Sequence, residues 1–353
     1  MEKVVSLSDI SKELGISKMS VSLALRGKNG VSGQLRDKVL AYAKKIGYKR
    51  DAEICKTMAS IKLRGAGQFC GTIALLLAVE NESVLVNHPT FSEFHKGIFR
   101  GAEKIGYNID TFYLYEKGTT AKSLIKIFKS RGIRGGVLAG MYDSAYLSPK
   151  FSELWKEFKF IAVGLRTYNP HLDYTSADQY LVARNAVKEL LNLGYTRPAL
   201  VLDENIHEVV EGRFAGGFLE AQLRIESANR IPPFFHSNDV VKSEKNFAKW
   251  YLKHKPDSIL CLYNTPKKWL EKLGVKIPKN VALVQLERRA KNPEWSGMNQ
   301  HNDVVGELAV RRLSDFLNAP FASNTPITAS FVSPDWHNAK TAKRKLNRKT
   351  NKL

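Results

Sequence analysis

Along the first 47 residues, apolar positions recur at three- and four-residue intervals in three short runs. Leu7, Ile10 and Leu14 form the first stripe. Ser6 and Asp9 stand in capping-box register at its start, and Gly15 ends it. Ser17 is placed to cap a second helix opening at Lys18, in which Val21, Ala24 and Leu25 share one face. After Val31 and Ser32 a third stripe runs through Leu35, Val39, Ala43 and Ile46, and it stops at Gly47. Three short helices with a Gly-containing corner between the first two predict a helix-turn-helix unit, whose second helix enters the DNA major groove.

From Gly71 the spacing changes. Near-continuous apolar runs of strand length, among them TIALLLAV, GGVLAG, KFIAVG, PALVLD, DSILCLY and VALVQLE, alternate with amphipathic stretches. One such stretch runs from about Phe91 to Ile105; another, VARNAVKELLNLG, has its stripe at Val182, Ala186, Leu190 and Leu193. Strands that are apolar along their whole length and separated by helices predict an α/β architecture of parallel sheets covered on both faces. Roughly 270 residues of this pattern should divide into two lobes.

Charge narrows the partner. The 353 residues include 55 Lys and Arg against 34 Asp and Glu, a formal net charge of +21. A chain this basic is expected to meet a polyanion. With Val21, Ala24 and Leu25 facing inward, the opposite stripe of the second helix is Lys18, Met19, Ser22, Leu23 and Arg26. Lys18 and Arg26 suit phosphates or guanine edges, and Ser20 and Ser22 suit phosphates or bases. Met19 and Leu23 suit the apolar methyl groups of thymine.

Other chemistry is not signalled. Cys55, Cys70 and Cys261 form no CxxC pair, which fits a reducing cytoplasm. No signal peptide is visible, and no run reaches the roughly 18 apolar residues needed to span a bilayer. The eight histidines show no HExxH or i, i+4 pairing, so no metal site is expected. Phosphate loops, nucleophile elbows and triad spacings are missing too, so neither a cofactor nor enzymatic activity is expected.

The stretch VVSLSDISKELGISKMSVSLALRGKNGVSGQLRDKVLAYAKKIGY resembles the headpiece of the LacI/GalR family of bacterial transcription regulators. The likeness runs through LSDI, the Gly15-Ile16-Ser17 corner, Val21-Ser22, Val31-Ser32, Arg36, Val39 and Gly47-Tyr48. It implies a DNA-binding headpiece over residues 1–50, with Lys18, Met19 and Ser20 opening the reading helix and Leu23 and Arg26 following on it. Ser6, Ser17 and Ser32, at the helix starts, complete the DNA-facing set. Many members have Arg at the Leu23 position and Asn at the Arg26 position, so the operator sequence should differ.

The family's hinge helix, commonly YxPNxxAxxLA, corresponds to YKRDAEICKTMASIK (48–62) here, which leads into a hinge and linker over residues 51–68. Arg50 replaces the Pro, Asp51 the Asn, and Thr57 stands at the wedge leucine. Met58, beside it, is longer and apolar, and is the expected minor-groove wedge.

Beyond the headpiece the resemblance is patchier. SADQYLVARNAVKELLNLGYTRPALVL, GRFAGGFLEA, LGVKIPKNVALVQLE and SGMNQHNDVVGELAVRRL resemble family segments; for GRFAGGFLEA the pattern is ER..GF..A. These imply a two-lobed core of the type I periplasmic-binding-protein kind over residues 69–340. The first lobe would take about 69–176 and 297–320, the second about 177–296 and 321–340, and residues 341–353 would form a basic disordered tail.

Ligands of such cores bind at the carboxyl ends of the strands. By the motif matches, Arg213 would fork onto ligand hydroxyls or a carboxylate. Asn264 and Glu287 follow strands where the family has Asp, and Gln300 lies on the returning segment. Phe91 and Phe94 would wall a sugar ring, and Arg166 follows FIAVGL. The implied partners are a pseudo-palindromic double-stranded operator, a second copy in a homodimer, and a small effector such as a carbohydrate, with no membrane. The implied function is effector-controlled regulation, by default repression. The rival readings are a constitutive DNA-binding protein with a vestigial cleft and an enzyme carrying a targeting headpiece.

Overall fold

The structure, a computed structural model, describes residues 7–25, 30–46, 71–85, 88–141, 144–289, 291–318 and 326–345. In the N-terminal unit, α1 (Leu7–Leu14), α2 (Lys18–Leu25) and α3 (Gly33–Lys45) form as the spacing predicts. Ile10, Val21, Ala24, Val39 and Ala43 make a small shared core, with Leu14, Leu25, Leu35 and Ile46 packed around it. The corner after α1 needs a left-handed residue, and Gly15 supplies it at φ 63°. Ser17 Oγ accepts the N–H of Ser20 at 3.0 Å, and Ser32 Oγ accepts that of Leu35 at 3.3 Å. Each such cap stabilises its helix by about 1 kcal/mol. Ser6, Arg26, the hinge and linker over 51–68 with Met58, and residues 346–353 lie outside the described residues.

The remainder builds two six-stranded sheets. The first contains β1 (Gly71–Leu77), β2 (Tyr107–Tyr113), β3 (Gly135–Ala139), β4 (Lys159–Val163), β5 (Asp173–Ala177) and β11 (Ala329–Val332). Its order is β11-β5-β4-β3-β1-β2, parallel throughout. The second contains β6 (Pro198–Asp203), β7 (Phe234–His236), β8 (Ser258–Cys261), β9 (Ala282–Gln285), β10 (Ser296–Asn299) and β12 (Asp335–His337). Its order is β12-β10-β9-β8-β6-β7, with β12 antiparallel to β10. The inner strands β3, β8 and β9 are buried along their whole length, which is why they read as unbroken apolar runs.

Helices α4 (Pro89–Ile105), α5 (Ala121–Ser130), α6 (Ser152–Glu157) and α12 (Asn302–Asn318) flank the first sheet. Around the second lie α7 (Gln179–Asn192), α8 (Glu204–Val209), α9 (Arg213–Gln222), α10 (Val240–His254) and α11 (Thr265–Lys272). Helices α4 and α12 cross backbone to backbone. A Cβ on Gly97 would sit 1.8 Å from the Asp303 carbonyl oxygen, and one on Gly306 would sit 2.3 Å from that of Phe94. Arg100 reinforces the crossing with ion pairs to Asp303 at 2.8 Å and Glu307 at 2.9 Å. This close contact fixes the start of α4 over the gap between the sheets.

The chain crosses between lobes after β5, after β10 and between β11 and β12. Two expected boundaries therefore move. Residues 297–299 belong to the second lobe, because β10 pairs with β9 through Ser296↔Val284 and Gly297↔Gln285. Residues 329–332 belong to the first lobe, because β11 pairs with β5. The expected tail also starts too early. Thr341 and Ala342 are buried, Thr341 Oγ1 accepts the N–H of Ser296 at 2.9 Å, and Lys345 pairs with Asp257 at 2.7 Å.

Candidate functional sites on the second helix and between the lobes

Helix α2 presents two different faces. Val21 and Ala24 are fully buried in the headpiece core, while Met19 is 72% exposed and Lys18 lies open beside it. Ser20, Ser22 and Leu23 are half-buried around that open strip. The hydroxyls of Ser17 and Ser20 lie 2.9 Å apart, so Ser17 holds the start of the helix as well as facing outward. The open strip thus offers a cation, hydroxyls and a flexible apolar chain on one short helix, a set suited to phosphates and base edges.

The second site is a cleft of about 330 Å³ between the two sheets. Most of its walls are ends of strands or the starts of the helices that follow. The first lobe contributes His88, Thr90 and Phe94 at α4, Met141 after β3, Gly164 and Leu165 after β4, and Ser176 and Ala177 on β5. The second contributes Asp203 at the end of β6, Asn205, Ile206, Val209, Val210 and Phe214 on α8, α9 and their junction, Asn238, Leu262, Tyr263 and Glu287. Gln179, Gln300 and Asn302 come from the crossings. Gly164, at φ 91°, lets the Phe94 ring come close; a Cβ there would lie 3.0 Å from it.

Glu287 ties the lobes together. It is 7% exposed, and Thr90 Oγ1 donates to its two oxygens at 2.8 and 3.0 Å. Asn302 Nδ2 donates at 3.0 Å, and Arg289 approaches at 3.4 Å. Asp203 Oδ1 accepts the N–H groups of Asn205 and Ile206 at 2.9 and 3.2 Å, capping α8. Its other oxygen faces His236 Nδ1 at 3.6 Å. Burial pushes the His236 imidazole below its ordinary pKa, and the Asp203 charge opposes that shift. Amides fill the remaining polar positions: Gln300 Nε2 donates to the Leu286 carbonyl at 2.8 Å, and Gln179 Nε2 donates to Ser176 Oγ at 3.0 Å.

Of the seven side chains expected around a ligand, Phe94, Glu287 and Gln300 line this cleft. Phe91 packs into the first-lobe core with Leu75 and Ile98 instead. Arg166 is exposed, paired with Glu211 at 3.2 Å and bonded to the Tyr174 hydroxyl. Asn264 accepts from Gln285 Nε2 at 2.9 Å, outside the lining. Arg213 also lies outside: its Nε donates to the Val210 carbonyl, and its guanidinium lies 6.0 and 5.8 Å from the Tyr174 and Phe331 ring centres. The spacing explains this. In ER..GF..A two residues separate Arg from Gly-Phe, whereas here Phe214, Ala215 and Gly216 intervene. A helix turns about 100° per residue, so Phe214 takes the inward position. Asp203, which ends a strand, was accessible to the rule that ligands meet the carboxyl ends of parallel strands. The contributions of His88 and Asn238, in loops, had no sequence signal.

Among the described residues, no group of three or more His, Cys, Asp and Glu is arranged to hold a metal, and no helix is long and apolar enough to cross a membrane.

Comparison with known proteins places the two sites in context. A family model described as bacterial regulatory proteins, lacI family, matches residues 6–51, and one described as periplasmic binding proteins and sugar binding domain of LacI family matches residues 72–284. The HTH-type transcriptional regulator reg1 of Streptomyces lividans is 23% identical over 322 residues, covering 87% of this chain and 88% of the relative. The maltose regulon regulatory protein MalI of Escherichia coli is 23% identical over 271 residues, covering 74% and 73%. Among solved structures, a complex of the transcriptional regulator CelR with cellobiose aligns with a TM-score of 0.57 at 16% identity, covering 96% of this chain and 99% of the other. The lac repressor dimer bound to operator and an anti-inducer aligns with a TM-score of 0.56 at 16% identity, covering 97% and 100%. At these identities the structural likeness speaks for the fold.

Proposed function

The chain belongs to the LacI family of bacterial regulatory proteins, DNA-binding transcriptional regulators under effector control, and on that premise we propose how its two sites divide the work. Helix α2 enters the major groove, with Lys18 on phosphate or guanine and Met19 and Leu23 on thymine methyls. One helix of eight residues reads few base pairs. The protein therefore acts as a homodimer on a pseudo-palindromic site, in the cytoplasm where that DNA is, and as a repressor.

The effector is a small saccharide held between the lobes. The observation that carries this reading is the cleft itself, where apolar walls from Phe94 and Phe214 meet amides and carboxylates at the ends of both sheets. Such walls take the faces of a sugar ring, and such polar groups take its hydroxyls. The resemblance to a regulator solved as a complex with cellobiose and to a maltose regulon protein supports the same class. A bound sugar would compete for Glu287, whose present partners Thr90 and Asn302 come from the first lobe and the crossing. Ligand binding would then shift the population of lobe arrangements and, with it, DNA affinity.

Selection of bound duplexes from a random pool, with and without a saccharide panel, tests both halves. The expected result is enrichment of a two-fold-symmetric sequence whose retention changes with at least one sugar. No enriched sequence would overturn the DNA-reading role of α2, and enrichment indifferent to every sugar would leave a constitutive binder.

A further inference from the structure

Resting on the reading of the interlobe cleft as the effector site, we propose that the effector carries no anionic group: the cleft takes a neutral or amine-bearing saccharide and rejects phosphorylated and carboxylated ones. The chain has 55 Lys and Arg against 34 Asp and Glu, so an arbitrary wall would carry cations. Among the described residues, the cleft lining contains no Lys or Arg, and its two charged members, Asp203 and Glu287, are both acids.

Each acid accepts hydrogen bonds from neighbouring donors, Glu287 from Thr90 and Asn302, and Asp203 from two backbone N–H groups. Arg166 and Arg289 stay outside the lining, paired with Glu211 and with Glu287, and Arg213 stays outside it beside the Tyr174 and Phe331 rings, its two terminal nitrogens buried without a hydrogen-bond partner.

Anions bind proteins through Arg forks or through open helix N-termini. Of the helices that open onto this cleft, three have first turns already capped by a side chain, whereas α9, which brings Phe214 to it, starts at Gly212 without one. His88 Nδ1 accepts from Phe91 at the start of α4, Asp178 from Leu181 at the start of α7, and Asp203 from Asn205 and Ile206 at the start of α8. Phe214 stands where the family pattern sets Arg, which removes the fork as well. Past Asp203 the cleft leads into a second depression that adds Glu204, Glu208 and Asp239 and, again, no Lys or Arg. A phosphate against this lining meets two carboxylates, one of them paired with Arg289, and no lining cation among the described residues, whereas an amine meets opposite charge.

The test uses the full chain. A thermal-shift screen of glucose, maltose, cellobiose and glucosamine first finds a saccharide that stabilises it. Isothermal titration then compares that sugar with its phosphate, uronate and amine twins. The expected result is phosphate and uronate at least about tenfold weaker than the neutral twin, with the amine at least equal to it. In Glu287→Gln, checked for an unchanged melting temperature without ligand, the phosphate-to-neutral ratio should narrow at least about threefold. A phosphorylated sugar that binds as tightly as its neutral twin would overturn the proposal while leaving the effector site standing. If no saccharide of any charge stabilised the chain or altered its DNA affinity, the effector reading would fall, and this inference with it.

Discussion

The open strip of α2 and the cleft between the lobes are recognition surfaces built on opposite terms. The strip sits on eight consecutive residues, carries Lys18 and leaves Met19 exposed to water. The cleft gathers side chains from His88 to Asn302, encloses them between two sheets, and has acids and amides where the strip has a cation. A polyanion and a hydroxylated small molecule ask for these contrasting surroundings. One chain with an excess of 21 positive charges serves both because, among the described residues, its topology keeps cations off the cleft wall.

That contrast can be broken at either end. Raising salt from about 50 to 200 mM should weaken DNA binding by a factor on the order of a thousand, as released counterions oppose it, while sugar affinity stays within about twofold. Fluorescence anisotropy and calorimetry on one preparation read both, and equal salt dependence would erase the distinction. Next in size is Val21→Asp, which puts an unpaired charge into a headpiece core centred on Ile10, Val21, Ala24, Val39 and Ala43. DNA affinity should fall at least about a hundredfold, with the sugar-induced melting shift of the core retained.

The reverse change is Phe94→Ala, which strips an aromatic wall from the cleft. It should cost roughly tenfold in sugar affinity and leave ligand-free DNA binding as it was. The smallest effect sharpens the cleft side. His236 is held below its ordinary value of 6.5 by burial, so the unfolded chain takes up a proton more readily than the folded one. Its contribution to stability is complete above that value and declines as pH falls from it toward the folded pKa. Melting temperatures between about pH 7.5 and 5 should therefore drop less in His236→Gln than in the parent chain.

The unequal legibility of the two sites follows from the same contrast. The helices α1 to α3 were readable because Ile10, Val21 and Val39 repeat locally, and local spacing is enough to fold a three-helix unit. The alternation of buried strands and helices also gave the two-lobed α/β core. The cleft was only half readable, since its wall depends on which way single residues point. One extra residue before Gly217-Phe218 exchanges Arg213 for Phe214, and no composition or periodicity signals that turn. Lobe boundaries were misplaced for a related reason. The strands SGMN and ASFV are only four residues long, and pairing with distant partners is what makes them strands.

Coupling between the two surfaces is what makes the chain a regulator, and reciprocal titration measures it. DNA affinity is determined with and without a saturating effector, and effector affinity with and without saturating operator DNA. Linkage requires the same factor in both directions, and values on the order of 5- to 150-fold are typical of allosteric pairs. If the cleft governs the reading helix, the factor lies well away from one and agrees between the two measurements. A factor of one in both would mean that the cleft and the reading helix are independent, and that the effector does not control the DNA-binding state.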